Sequence, residues 1–107
     1  MTKTSLGLEE NVEAALSYVL GFLTGIVFYL LEKDSEFVRF HAMQSIVVFF
    51  SITIIQGVLM FIPFLGWILS WLLWIFSIAL WIVLIIKAYN GEKFKIPFVG
   101  ELSEKYI

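Results

Sequence analysis

Charged stretches in this chain are short and charge-free stretches are long, and the lengths of the latter set the fold. Residues 1–13 are polar, with Ser5, Gly7 and Asn11 as loop or cap material ahead of a helix. From Ala14 to Leu31 no charge occurs for roughly 18 residues, just enough helix to cross a hydrocarbon core of about 30 Å. The polar loop Glu32-Lys33-Asp34-Ser35-Glu36 follows, in which Asp34 or Ser35 can cap the next helix. From Ala42 to Ile86 formal charge is absent again, over about 45 residues or roughly 67 Å of helix. That is twice the core thickness, so two helices are the natural reading and a span plus a re-entrant element is the alternative. Pro63 disfavours helix at Ile62 and Gly66 tolerates a turn, which puts the break at Ile62–Gly66. The pattern predicts a first helix over about 12–31, a second over about 37–62, a third over about 66–89 and a tail over 90–107. The expected fold is an all-α integral membrane protein: one transmembrane domain with three spans, a short loop and an interfacial tail.

Small residues mark candidate packing faces. Ser17, Gly21 and Gly25 recur at i, i+4 and i+8, and Gly66, Ser70, Ser77 and Ala88 line the third helix. Such residues let backbones approach closely in lipid, either within one molecule or between copies. Trp67, Trp71, Trp74 and Trp81 follow one face of the third helix; the first two suit an interfacial aromatic belt. Lys87 and Gly91 close that helix with a cation and a left-handed cap. In the tail, Phe98, Leu102 and Tyr106 recur every fourth residue after Pro97, the pattern of a short helix lying in the interface; a disordered tail is the alternative.

Composition agrees with lipid as the solvent. Hydrophobic residues make up 61% and charged residues 15%, with a mean hydropathy of +0.96, more apolar surface than so short a chain can hide from water. The net charge of −2 points to no nucleic-acid partner, and the absence of cysteine excludes disulfides and thiolate chemistry. Without a basic n-region the first apolar segment is expected to be retained. Three spans would put the loop and tail on one side with Lys33, Arg39, Lys87, Lys93, Lys95 and Lys105, leaving Lys3 on the other. The positive-inside rule then places loop and C-terminus in the cytoplasm and the N-terminus outside the cell membrane.

Neither apolar run holds an acidic or basic residue, as a proton relay or ion-coupled carrier requires. No nucleophile, base and orienting group can be assembled, no cofactor or metal set is present, and an enzyme is not expected. Interest falls on Phe37–Ser45, which holds the chain's one arginine and one histidine at the entry to the second helix. His41, Gln44, Ser45 and Gln56 form a loose polar sector there, either as glue between helices or as the lining of a cavity or partner site. On the same face as the tail, Arg39, His41 and Gln44 are expected to dock Asn90–Gly100.

Three blocks carry a resemblance: Gly7-Leu8-Glu9-Glu10-Asn11-Val12, Phe37-Val38-Arg39-Phe40-His41-Ala42-Met43-Gln44-Ser45, and Asn90-Gly91-Glu92-Lys93-Phe94-Lys95-Ile96-Pro97-Phe98-Val99-Gly100. Together they resemble a widespread prokaryotic family of small membrane proteins of no assigned reaction, common in archaea and regarded as a distant relative of Tic-twenty, the chloroplast inner-envelope import component. The resemblance marks Arg39, His41, Gln44, Asn90, Gly91, Pro97 and Gly100 as a cytoplasmic-face motif. The small-residue faces, a motif and tail on the same side and the lack of intramembrane charge point to a non-enzymatic protein that associates with itself or with other membrane proteins; the resemblance, with the Gln44–Gln56 sector, implies the alternative of a component of a translocation or channel assembly.

Overall fold

A computed structural model of the chain describes residues 7–105; Lys3, Ser5 and Tyr106, which entered the orientation and tail readings, lie outside them. Five helices are present: α1 (Glu10–Val19), α2 (Phe22–Leu31), α3 (Glu36–Leu59), α4 (Leu65–Tyr89) and α5 (Val99–Lys105). Two of them, α3 and α4, are long and apolar enough to cross a membrane. They form a hairpin in a molecule extending 49 × 22 × 21 Å. The turn falls where Pro63 ends helical geometry, and α3 stops three residues before the expected end.

The N-terminal segment differs from the straight helix expected over 12–31. It breaks at Leu20-Gly21, where Gly21 has φ +65, a conformation that costs residues with a Cβ. The chain then doubles back. Asn11 Nδ2 donates to Tyr89 O at 2.8 Å and Trp81 Nε1 to Tyr18 O at 2.6 Å, so α1 runs antiparallel to the last turns of α4. Ser45 Oγ donates to Gly21 O at 2.8 Å, while Arg39 Nη1 donates to Tyr29 O and Glu32 O at 2.8 Å each, so α2 descends antiparallel to α3. A ten-residue helix rises roughly 15 Å, so the α1–α2 hairpin reaches only about half the height of α3. The start of α1, the 32–35 loop, the end of α4 and the tail therefore share one end of the molecule. The straight helix expected over 12–31 would instead have started at the opposite end from the tail.

Capping pins that end. Ser35 Oγ accepts from Val38 N at 3.2 Å as the N-cap of α3, and donates to Glu10 Oε2 of α1. Glu32 Oε2 accepts from Asp34 N and Ser35 N at 2.9 and 3.0 Å, ordering the loop. At the C-terminus of α4, Gly91 N bonds Ala88 O and Glu92 N bonds Lys87 O, the two bonds of a Schellman cap, with Gly91 at φ +79.

The small residues do not act as one stripe. Gly21 is the hairpin tip, Ser17 donates to Glu13 O within α1, and Gly25 packs on α3. Gly66 fits against Leu59 O in the α3–α4 turn, Ser70 bonds Gln56, and Ser77 donates to Leu73 O of its own helix. At Gly25 an added Cβ would sit 2.8 Å from Ala42 O, whereas at Gly57 it would meet nothing. Gly25→Ala is expected to destabilise the protein by about 1–3 kcal/mol. Gly57→Ala is expected to be neutral or stabilising by up to about 1 kcal/mol. Unfolding of both variants in mixed micelles measures the difference.

Candidate functional site

The shared end encloses a buried polar cluster built by three segments. From α1 comes Tyr18, from α3 come His41 and Gln44, and from the tail comes the backbone of Glu92, Phe94 and Ile96. Tyr18, His41 and Gln44 are wholly buried. The helical rise places His41 and Gln44 one turn apart on the face of α3 that meets α1 and the tail. Phe37 and Phe40 hold the imidazole edge-on, with ring centroids 4.7 and 5.3 Å away.

Bonding partners fix each donor and acceptor. Glu92 O can only accept, so His41 Nε2, 3.0 Å away, carries the proton. His41 Nδ1 is then the acceptor, and Tyr18 Oη donates to it at 2.7 Å. Tyr18 Oη accepts in turn from Gln44 Nε2 at 2.9 Å. The second Gln44 N–H goes to Phe94 O at 2.9 Å, and Gln44 Oε1 accepts from Ile96 N at 3.1 Å. Gln44 thus bonds the extended tail as a neighbouring β-strand would, through the carbonyl of one residue and the N–H two residues on. Every bond of the cluster to the tail is to main chain. In a dry site such a network is stable only when complete.

Of the residues singled out from sequence, the structure brings His41 and Gln44 to the tail but not Arg39. Arg39 turns to α2 instead, where it bonds the Tyr29 and Glu32 carbonyls at the C-terminus and stacks over the Tyr29 ring at 4.2 Å. A cation there also meets the negative end of the helix dipole. Asn90 and Gly91 form the α4 cap, and Pro97 is exposed ahead of α5. Gly100 is buried against Lys95, where a Cβ would lie 2.5 Å from the Lys95 Cβ. Tyr18 and the tail backbone were missed. A single hydroxyl near the end of an apolar helix was the available signal for Tyr18, and main-chain partners leave no residue signature.

On the outer surface of the tail, Lys93 and Lys95 reach Glu104 at 2.8 and 2.9 Å. Their hydrogen bonds hold its carboxyl down at about 2, below the ordinary carboxylate range. Lys93 also lies over the Phe40 ring at 5.0 Å. Among the described residues no group of three His, Cys, Asp or Glu side chains is placed to hold a metal ion. A shallow groove of about 420 Å³ opens at the other half of the α3–α4 hairpin, lined by Gln56, Met60, Ser70, Trp71 and Trp74.

Residues 9–103 match the magnetosome magnetite crystal formation protein family. The chain belongs to this family. It is 54% identical over 106 residues to a UPF0132 membrane protein of Methanocaldococcus jannaschii, covering 99% of this chain and 96% of that protein. A second protein of that organism, also a UPF0132 membrane protein, is 47% identical over 102 residues, covering 95% and 73% of the two chains. A UPF0132 membrane protein of Archaeoglobus fulgidus is 46% identical over 100 residues, covering 94% and 97%. No solved structure matches. A family of small archaeal membrane proteins is thus what the sequence blocks pointed to, while the link to Tic-twenty rests on those blocks alone.

Two predictions follow from the geometry. Tyr18→Phe leaves His41 Nδ1 and one Gln44 N–H without their partner, and is expected to cost about 1–3 kcal/mol and to expose the Glu92–Ile96 segment to protease. Wild-type protection on neither measure changing would show that the hydroxyl carries no structural load. For Glu104 the folded value lies below the unfolded one, so its contribution is present above about 4.5 and is lost as pH falls toward 2. Protease resistance at Lys105 is therefore expected to be flat from neutral pH down to the ordinary carboxylate range and to fall only below it.

Proposed function

We propose that this chain is a non-enzymatic, two-span protein of the cell membrane whose charged end lies in the cytoplasm. There it acts by associating with itself or with other membrane proteins. The observation that carries this reading is the polarity of the molecule. Every formal charge among the described residues lies at the shared end, from Glu9 and Glu10 to Lys105, and the 60–64 turn at the other end is apolar. By the positive-inside rule that end faces the cytoplasm, with α3 and α4 spanning and α1–α2 entering and leaving from the same side.

Absence of bond chemistry is supported by where the hydroxyls go. Ser17, Ser45, Thr53, Ser77 and Ser103 all donate to backbone carbonyls, and the hydroxyls that do meet a base are committed to structure, Tyr18 to His41 inside the buried cluster and Ser35 to Glu10 while it caps α3. Association is supported by the surface of the shared end, where Phe98 and, on α5, Leu102 are exposed near the Lys93-Glu104-Lys95 bridge. The family's name concerns magnetite crystals; among the described residues no group of three His, Cys, Asp or Glu side chains is placed to hold a metal ion.

Single cysteines replacing Glu9, Asp34, Phe64 and Glu101 test the topology with an impermeant thiol reagent in cells. Phe64→Cys is expected to react from outside and the other three only after the membrane is opened. Reaction of Glu9→Cys from outside would restore three spans. Association is tested by crosslinking in native membranes and purification in mild detergent; a strictly monomeric species without crosslinks would overturn it.

A further inference from the structure

The two halves of the molecule differ in width. In the half at the charged end, α1, α2, α3 and α4 lie side by side; beyond the Gly21 tip, which meets Ser45 and Phe49, only α3 and α4 continue. From Phe49 to Leu59 is roughly 15 Å of helix, about one leaflet of the hydrocarbon core. Burial follows the same division. Between residues 50 and 80 the one buried residue is Gly66 in the turn. On α4 a single strip, Ser70, Leu73, Ser77 and Leu80, is half-buried against α3, and apolar residues are exposed around the rest of its circumference. Outside that strip the exposed side chains are large, Trp67, Trp71, Leu72, Trp74, Ile75 and Phe76 among them, where close helix packing in a bilayer uses small residues, so the surface suits lipid. The one polar pair in this half, Gln56 and Ser70, is satisfied internally, Gln56 Nε2 donating to Ser70 O at 3.2 Å.

We infer that the protein is a membrane wedge, filling about four helix cross-sections in the leaflet at its charged end and about two in the other, and that it therefore favours bilayers convex toward that end. The inference rests on the two-span topology proposed above. A bilayer curved in this sense stretches the leaflet that holds the wide half and compresses the other, so the inclusion fills area that lipid would otherwise have to cover. The tail works in the same direction. At the charged end Phe98, just ahead of α5, and Leu102 within it are exposed, and interfacial apolar insertion is itself sensitive to curvature. The partner is thus the lipid of a curved membrane, recognised by shape.

The full chain, carrying Glu9→Cys or Phe64→Cys, is reconstituted by detergent removal into small sonicated and large extruded vesicles of one neutral phospholipid. Impermeant labelling then counts both orientations in each population. Molecules with the charged end outward are expected to be enriched about twofold or more, relative to inward ones, in small vesicles over large ones, since the population shift tracks the difference in affinity. Each orientation controls for the folding of the other. Opposite-side labelling of the two cysteines with an orientation ratio independent of vesicle size overturns the wedge and leaves the topology standing. Same-side labelling overturns the topology, and the wedge with it. Efficient disulfide dimers through Trp71→Cys would show a second copy filling the narrow half, and would also overturn it.

Discussion

Backbone that leaves the helix inside a membrane must find its hydrogen bonds within the protein, because lipid supplies none. This chain breaks that regularity at the α1–α2 tip and is extended again in the tail from Glu92 to Ile96, beside His41 and Gln44. At the tip, Ser45 Oγ meets Gly21 O, Trp81 Nε1 meets Tyr18 O, and Thr24 Oγ1 donates to Ser17 O at 3.1 Å while accepting from Leu20 N at 3.1 Å. In the tail, His41 and Gln44 meet Glu92 O, Phe94 O and Ile96 N. The polar residues scattered through the apolar runs are thus assigned largely to main chain. They satisfy two non-helical segments of main chain from within the protein.

The same constraint explains why one helix, α3, organises the rest. Ser45 faces the tip, Gln44 and His41 face α1 and the tail, and Arg39 faces the end of α2, all within two turns. Each segment that irregular backbone would leave unsatisfied is returned to these two turns. Tyr18 links two of them, since its hydroxyl is both the donor to His41 and the acceptor from Gln44. A residue that only packed would tolerate exchange for Phe; a residue in this position closes a chain of bonds whose members have no water to fall back on.

Much of this architecture was legible because it depends on local chemistry. Pro63 marks the α3–α4 turn, Ser35 caps α3, and Lys87 with Gly91 closes α4, each for a reason contained within a few residues. The break at Gly21 was not. An apolar run of roughly one membrane thickness reads as one span, and a glycine four residues from Ser17 and from Gly25 reads as a packing face. What decides for a turn is tertiary: Ser45 and Trp81, distant in sequence, are placed to accept the broken backbone. Arg39 was misread for a similar reason. The face it was expected to share with the tail concealed the carbonyls at the end of α2, which it bonds instead and which suit a fixed guanidinium.

The two halves of the α3–α4 hairpin then follow different rules although composition hardly distinguishes them. Near the charged end, polar side chains are spent on backbone from other segments, and the helices are clothed by α1, α2 and the tail. Beyond Phe49 the one irregular segment is the short 60–64 turn, and polar groups there serve the hairpin itself, as Gln56 and Ser70 do. Side chains there are free to be apolar on every outward face, as Trp71, Leu72, Trp74, Ile75 and Phe76 are, all exposed around the half-buried Leu73. The narrow half is therefore a consequence of the broken N-terminal segment. Had residues 12–31 formed the straight span that their hydropathy suggests, the third helix would have covered this surface, and the molecule would have had one width throughout.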